Sequence, residues 1–131
     1  MSKIRLAIAG LGNCASSLIQ GIEYYRKHPA EHTGILFEDI GGYKVTDIEI
    51  VAAFDVTLGK VGEDISKAIF ASPNNTEKIS DVPELGTKVQ MGPILDGVPE
   101  HLRKFMEVSE HEPVDVGNAL KEVKADVFSS I

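Results

Sequence analysis

A glycine-rich turn near the start of the chain carries the residues with the clearest chemical meaning. An apolar run, residues 4–9, leads directly into Gly10, Gly12 and Ala15, which form a GxGxxA pattern. Gly10 can turn the chain without a Cβ clash, and Gly12 allows the backbone to approach a pyrophosphate closely. Ala15 is small enough for a following helix to pack against the strand. A helix beginning at about Asn13 would direct its free N–H groups at the phosphates, so the pattern predicts a dinucleotide site.

An acidic residue, Asp55, stands where such a site needs a group that binds ribose. It follows a second apolar run, residues 48–54, and a carboxylate at the end of the second strand can accept hydrogen bonds from the adenosine ribose. Its charge would repel a 2′-phosphate, so we expect NAD rather than NADP. Asp55 lies 45 positions after Gly10 instead of about 20, and we interpret residues 28–46 as an inserted loop. The alternative is that Asp55 caps the next helix.

Helical and apolar segments alternate along the rest of the chain. The predicted helices cover residues 13–27, 58–71, 100–108 and 115–124, and the predicted strands cover 4–9, 48–54, 89–91 and 125–131. Three of the helices have an apolar side that we expect to be buried, formed by Leu18, Ile19, Ile22 and Tyr25, by Val61, Ile65, Ala68 and Ile69, and by Val116, Ala119, Leu120 and Val123. This order predicts an α/β fold, a doubly wound parallel sheet of the Rossmann type, as one domain over residues 1–131.

Composition limits the classes of function. The chain has 131 residues, of which 43% are hydrophobic and 25% charged, as in an ordinary globular domain. Its formal net charge of −7 argues against a nucleic-acid surface and gives no basis for binding anionic membranes. No apolar stretch approaches the length of a membrane span, and the first residues do not resemble a signal peptide, so we expect a cytoplasmic protein.

Cysteine and histidine give little sign of further chemistry. Cys14 is the single cysteine, which excludes an internal disulfide and leaves no cysteine framework for zinc. We expect it to be a small buried side chain, and the alternative is a thiol made reactive by the helix N-terminus. The four histidines are dispersed, so no metal site is predicted.

Several stretches of the sequence together resemble one family. They are residues 9–18, 20–25, 51–56, 74–76, 89–97, 113–116 and 119–121. The sequence resembles the inositol-3-phosphate synthases (myo-inositol-1-phosphate synthases), in particular their bacterial and archaeal branch. The resemblance runs in order through nearly all 131 residues, and it is far more specific than the glycine pattern.

This resemblance implies a tightly held NAD and the conversion of D-glucose 6-phosphate to 1D-myo-inositol 3-phosphate through oxidation, enolisation, aldol cyclisation and reduction. Ser129 and Ser130 are candidates for cofactor binding by their position, at the expected carboxyl end of a parallel strand, where ligands bind in such sheets. The resemblance itself assigns cofactor-binding roles to Gly10, Gly12, Asn13, Cys14, Ala15, Asp55 and Asp64. Of these, Asp64 is a secondary candidate, because an acidic residue near a helix start also has a purely structural interpretation. Two alternatives stay open: another NAD-dependent oxidoreductase that shares only the fold, and a nucleotide-binding module without chemistry.

The resemblance also implies what the chain lacks. The family's catalytic lysines and sugar-phosphate pocket lie beyond Ile131, so we expect no catalytic residue here and no synthase activity from the chain alone. The family forms a homotetramer largely through that later domain and takes D-glucose 6-phosphate in the intact enzyme. At Ser129-Ser130 the sequence departs from the family's Ser-Tyr. We therefore expect a truncated N-terminal part whose open sheet edge favours self-association.

Overall fold

The computed structural model describes residues 3–94 and 107–131. The strands are β1 (Ile4–Ala9), β2 (Ile48–Asp55), β3 (Gln90–Met91) and β4 (Val127–Ser130). The α-helices are α1 (Asn13–Lys27), α2 (Ile65–Ala68) and α3 (Val116–Glu122), and a 3₁₀ turn, Val45–Asp47, precedes β2.

All four strands run parallel, in the order β3-β2-β1-β4. The central strand β1 pairs with β2 along its whole length and with β4 over residues 6–9. In a parallel sheet the carboxyl ends of the strands meet at one edge, so the turn after β1 and the last residue of β2, Asp55, lie next to each other. The predicted parallel α/β fold is confirmed.

Helices cover both faces of the sheet. The cluster beneath α1 and α2 contains the large fully buried side chains Ile8, Leu11, Ile19, Ile65 and Ile69. The cluster beneath α3 is built from Ala7, Ala52, Phe54 and Ala119. Successive strand residues point to opposite faces, which is why neighbours in β1 belong to different clusters. Two covered faces make the sheet doubly wound, as predicted.

The buried side of α1 differs from the prediction. Leu18 is 37% exposed and Tyr25 is only partly buried, whereas Gln20 and Glu23 lie inside. The amide of Gln20 explains the difference, because its oxygen accepts hydrogen bonds from the backbone N–H groups of residues 79 and 80 at 2.7 and 3.2 Å. The buried Gln20 thus holds the loop before β3. The spacing of apolar residues does not reveal a buried polar residue of this kind.

The helix predicted over residues 58–71 is wrong in extent, because only α2 is helical. Gly59 and Gly62 have positive φ angles of 89° and 88°, which interrupt a right-handed helix. Residues 58–63 form turns, and the helix starts after Asp64. The apolar positions predicted for this segment are nevertheless buried, namely Val61, Ile65, Ala68 and Ile69.

The remaining predicted elements are mostly found. Strand β3 covers two residues of the predicted strand 89–91, and β4 lies within the predicted strand 125–131.

Helix α3 is capped by Asp115, whose side chain accepts a hydrogen bond from the N–H of Asn118 at 3.1 Å. Most of the helix predicted at 100–108 lies outside the described residues, and its last residue, Val108, instead forms a bridge with Thr57. The segment after α1 has no α-helix or strand between residues 28 and 44.

Within residues 3–94 and 107–131, no helix combines the length and apolarity that a membrane crossing requires. The same residues contain no cluster of three or more histidine, cysteine or acidic side chains that could hold a metal ion.

Candidate functional site

The turn after β1 requires glycine at Gly10. Its φ is +86°, and a Cβ built there would stand 2.9 Å from the backbone oxygen of Ile131. Its N–H donates to the carbonyl of Phe54 in β2 at 2.8 Å. The end of β1 is therefore joined to the end of β2 in a conformation that L side chains rarely adopt.

Gly12 presents an open, uncapped start to α1. It is the N-cap residue, no side chain caps the helix, and a Cβ built there would meet no atom within 4 Å. In the parts of the chain that the structure describes, no acceptor is found for the backbone N–H groups of residues 12–15. Ala15 is fully buried against the sheet, as its small size predicted. The turn thus leaves space and unsatisfied donors together.

Asp55 is bound to this turn. One carboxylate oxygen accepts from the N–H of Leu11 at 2.7 Å, and the other accepts from the N–H groups of Val56 and Thr57 at 2.7 and 2.9 Å. The inserted loop therefore leaves Asp55 beside the glycine turn. The alternative that it caps the next helix is wrong, because α2 is capped by Asp64.

Hydrogen bonding decides the charge state of Asp55. Burial opposes its ionisation, but the hydrogen bonds from Thr57 and from the Leu11 N–H, together with the positive charge of Lys60, outweigh burial and hold the pKa below its ordinary value. The group is a carboxylate near neutral pH and can accept further hydrogen bonds.

Asp64 has a structural position. It is 7% exposed, and one oxygen accepts from the Ser66 N–H at 2.9 Å, from the Ser66 hydroxyl and from the Leu85 N–H at 3.1 Å. Burial opposes ionisation, yet these bonds hold its pKa below the ordinary value. The carboxylate thus starts α2 and fixes the loop before β3, whereas its cofactor role stays a prediction.

The lowered pKa values of Asp55 and Asp64 predict that the chain loses stability in acid. Because their pKa values are lower in the folded chain than in the unfolded one, their contribution is complete above about pH 4 and disappears as pH falls through the folded values. We expect the free energy of unfolding of the chain to exceed that of Asp64→Asn at pH 6 and the difference to shrink towards pH 3. Urea denaturation at both pH values measures it, and a constant difference would contradict the assignment.

The side chain of Asn13 faces a neighbouring loop. Its oxygen accepts from the N–H groups of Asn75 and Thr76 at 3.0 and 3.1 Å and from the Thr76 hydroxyl at 2.6 Å, and its amide donates to the Asn75 side chain at 2.8 Å. Because this loop occupies the side chain of Asn13, its predicted role in binding a cofactor would fall to its backbone N–H. The sequence marks residues 74–76 by their resemblance to the family, and no spacing of residues predicts that they lie at the turn.

Lys60 lies buried beneath the turn, where no sequence pattern placed it. It is 2% exposed, and its Nζ donates to the Leu11 carbonyl and to the Asn74 side-chain oxygen, both at 2.8 Å. Burial lowers the pKa of Lys60, and the charge of Asp55 partly opposes this effect. A lysine between two glycines in a predicted helix gave no sign of burial.

The remaining predicted residues lie at the same edge. Ser129 pairs with Ile8 and Ser130 with Ala9, at the end of β4, so the two serines are close to the turn. Cys14 is exposed, and the expected burial of its side chain is wrong. Cys14 lies in the first turn of α1, on the side of the helix that faces away from the sheet, whereas the buried side of the helix faces the sheet.

A cavity of about 480 Å³ lies at the other edge of the sheet. Its lining includes Arg5, Arg26, Ile48 and Glu49, near the starts of β1 and β2. It is therefore separate from the glycine turn. Its two arginines pair with Glu49 and Glu23, and Lys3 also lines it.

Comparison with known proteins identifies the family. No protein-family model matches the chain. However, the inositol-3-phosphate synthases of Mycolicibacterium smegmatis and Corynebacterium glutamicum are 52% and 53% identical to it over 98% of its length. The chain belongs to the inositol-3-phosphate synthase family. It spans 36% of the length of each of these relatives.

Solved structures share the fold. The crystal structure of Ari2 matches 99% of the chain with a TM-score of 0.77 and 34% identity, and the chain covers 38% of it. A myo-inositol-1-phosphate synthase-related protein from Thermotoga maritima matches 98% with a TM-score of 0.67 and 22% identity, and the chain covers 34% of it. The fold of this chain is thus also found in parts of two longer proteins.

Proposed function

We propose that this chain is the NAD-binding part of an inositol-3-phosphate synthase. The observation that carries the proposal is the open start of α1. A glycine N-cap, free space and N–H groups without an acceptor among the described residues lie together there, beside a carboxylate. A helix start of this kind favours a diphosphate through its N–H groups and its dipole. The 52% identity to an inositol-3-phosphate synthase supports the choice of reaction.

The residues have distinct roles in this proposal. The backbone N–H groups of residues 12–15 bind the diphosphate. Asp55 accepts a hydrogen bond from the adenosine ribose, beside the bonds it already accepts from three backbone N–H groups and from the Thr57 side chain. Ser129 and Ser130 lie where the nicotinamide half would extend beyond the strand ends. The charge of Asp55 disfavours NADP.

In the complete protein, the proposed reaction converts D-glucose 6-phosphate to 1D-myo-inositol 3-phosphate. When bound, NAD+ would accept a hydride in the oxidation and, as NADH, return it in the reduction, so that no net oxidation occurs between the isomeric substrate and product. The groups that hold the sugar and stabilise the enolate would come from the part of the synthase that this chain does not align with. The same part would provide the tetramer interface.

Gly12→Asp tests the cofactor site. An N-cap aspartate should keep or raise the stability of the chain, by about 1 kcal/mol at most, because its carboxylate can accept from the first-turn N–H groups. It should abolish NAD binding, because it occupies the open space, uses the same donors and repels the diphosphate. Calorimetric titration of NAD into both proteins, with thermal unfolding alongside, measures both effects.

Gly21→Glu is the matched control. Gly21 lies within α1, and a Cβ there also meets no atom within 4 Å, so this variant adds the same charge away from the turn. We expect it to bind NAD like the parent chain. Absence of saturable NAD binding by the folded parent, or equal binding by Gly12→Asp, would refute the proposal.

A further inference from the structure

Both polar groups of Leu11 are held by side chains. Its N–H donates to Asp55 at 2.7 Å. Its carbonyl accepts from Lys60 at 2.8 Å and from the side-chain amide of Asn74 at 2.9 Å. The Lys60 ammonium also donates to Asn74, so the three side chains form one connected group beneath the glycine turn.

Peptide geometry links this group to the anion site. The Leu11–Gly12 bond is trans, and in a planar trans peptide the carbonyl of one residue and the N–H of the next point in opposite directions. Because Lys60 and Asn74 draw the Leu11 carbonyl inwards, the Gly12 N–H points away from them. That N–H has no acceptor among the described residues, and the space at Gly12 is open.

We propose that Lys60, with Asn74, is a positioning residue for diphosphate binding, which holds the Leu11–Gly12 peptide so that the Gly12 N–H faces the anion. This inference rests on the proposed NAD site. The buried ammonium adds a second effect, because its positive charge offsets the negative charge of the Asp55 carboxylate at the same turn, which would otherwise repel a diphosphate. Burial keeps water from screening the charge of the ammonium.

The test compares NAD with adenosine, which carries the base and ribose but no phosphate. Both are titrated into the ¹⁵N-labelled chain and into Lys60→Met, and binding is followed by NMR. Lys60→Met keeps the length of the side chain but removes its donors and charge. We expect its NAD affinity to fall by about tenfold or more, its adenosine affinity to stay within about twofold, and the NAD-induced shift of the Gly12 amide to disappear.

Two further variants make the result decisive. Lys67→Met removes the same charge from an exposed position on α2 and should leave both affinities unchanged. Asn74→Ala loosens the same carbonyl while Lys60 remains, and it should also weaken NAD selectively. If Lys60→Met does not fold, Asn74→Ala carries the test.

Equal loss of NAD and adenosine affinity would show that the group is merely structural and overturn the inference. So would NAD binding by Lys60→Met that matches Lys67→Met. Failure of the parent chain to bind NAD would instead refute the proposed function, and the inference with it.

Discussion

Replacing Asp55 with asparagine should destabilise the chain by about 2–3 kcal/mol. The carboxylate accepts backbone N–H groups on both oxygens, from Leu11 on one and from Val56 and Thr57 on the other. An asparagine amide has one acceptor oxygen, so its NH₂ group must face one of these donors. Whichever way the amide turns, at least one partly buried N–H loses its acceptor. Urea denaturation near neutral pH measures the change in free energy of unfolding.

The same substitution should weaken NAD binding by about tenfold, because the charged acceptor of the ribose hydroxyls is lost and the glycine turn is loosened. Asp126→Asn is the matched control. Asp126 is exposed and accepts one backbone N–H, that of Arg5, at 2.9 Å. We expect it to cost less than about 1 kcal/mol and to leave NAD affinity unchanged. Equal effects of the two substitutions would show that the position of Asp55 has no special importance.

Replacing Ile19 with alanine should cost about 2–5 kcal/mol of stability. Ile19 is 1% exposed and belongs to the cluster between α1 and the sheet. Removing three carbons there leaves a cavity. Helix α1 cannot move to fill it completely, because the helix is held to the sheet and to the loop at residues 79–80. Urea denaturation measures the loss of stability. The folded fraction of the variant should bind NAD with the affinity of the parent chain.

Leu18→Ala is an unusually close control, because leucine and isoleucine side chains contain the same number of carbons and the two residues are adjacent on α1. Leu18 is 37% exposed, so we expect its replacement to cost less than about 1 kcal/mol. A cost as large as that of Ile19→Ala would contradict the buried side assigned to α1 and favour the stripe predicted from apolar spacing.

Sequence alone determined the elements whose signals are local. The apolar run before Gly10 predicts β1, the run before Asp55 predicts β2, and Asp115 marks the start of α3. These features depend on residue spacing, on glycine conformation and on a cap, which act over a few neighbouring residues. The family was also within reach of the sequence, because the resemblance extends through most of the chain.

Tertiary structure decided which side chains serve the site. Asp55 meets Leu11 across 44 positions, Lys60 meets Leu11 across 49, and Asn13 meets Asn75 across 62. Separate long-range hydrogen bonds, from the backbone of residues 79 and 80, accompany the burial of Gln20 on α1, whereas Leu18 is exposed. A lysine or glutamine has no apolar period that marks it as buried, since it becomes buried only when a distant partner satisfies its hydrogen bonds. The spacing of residues predicts strands and turns, whereas the identity of those partners depends on how the strands and loops meet.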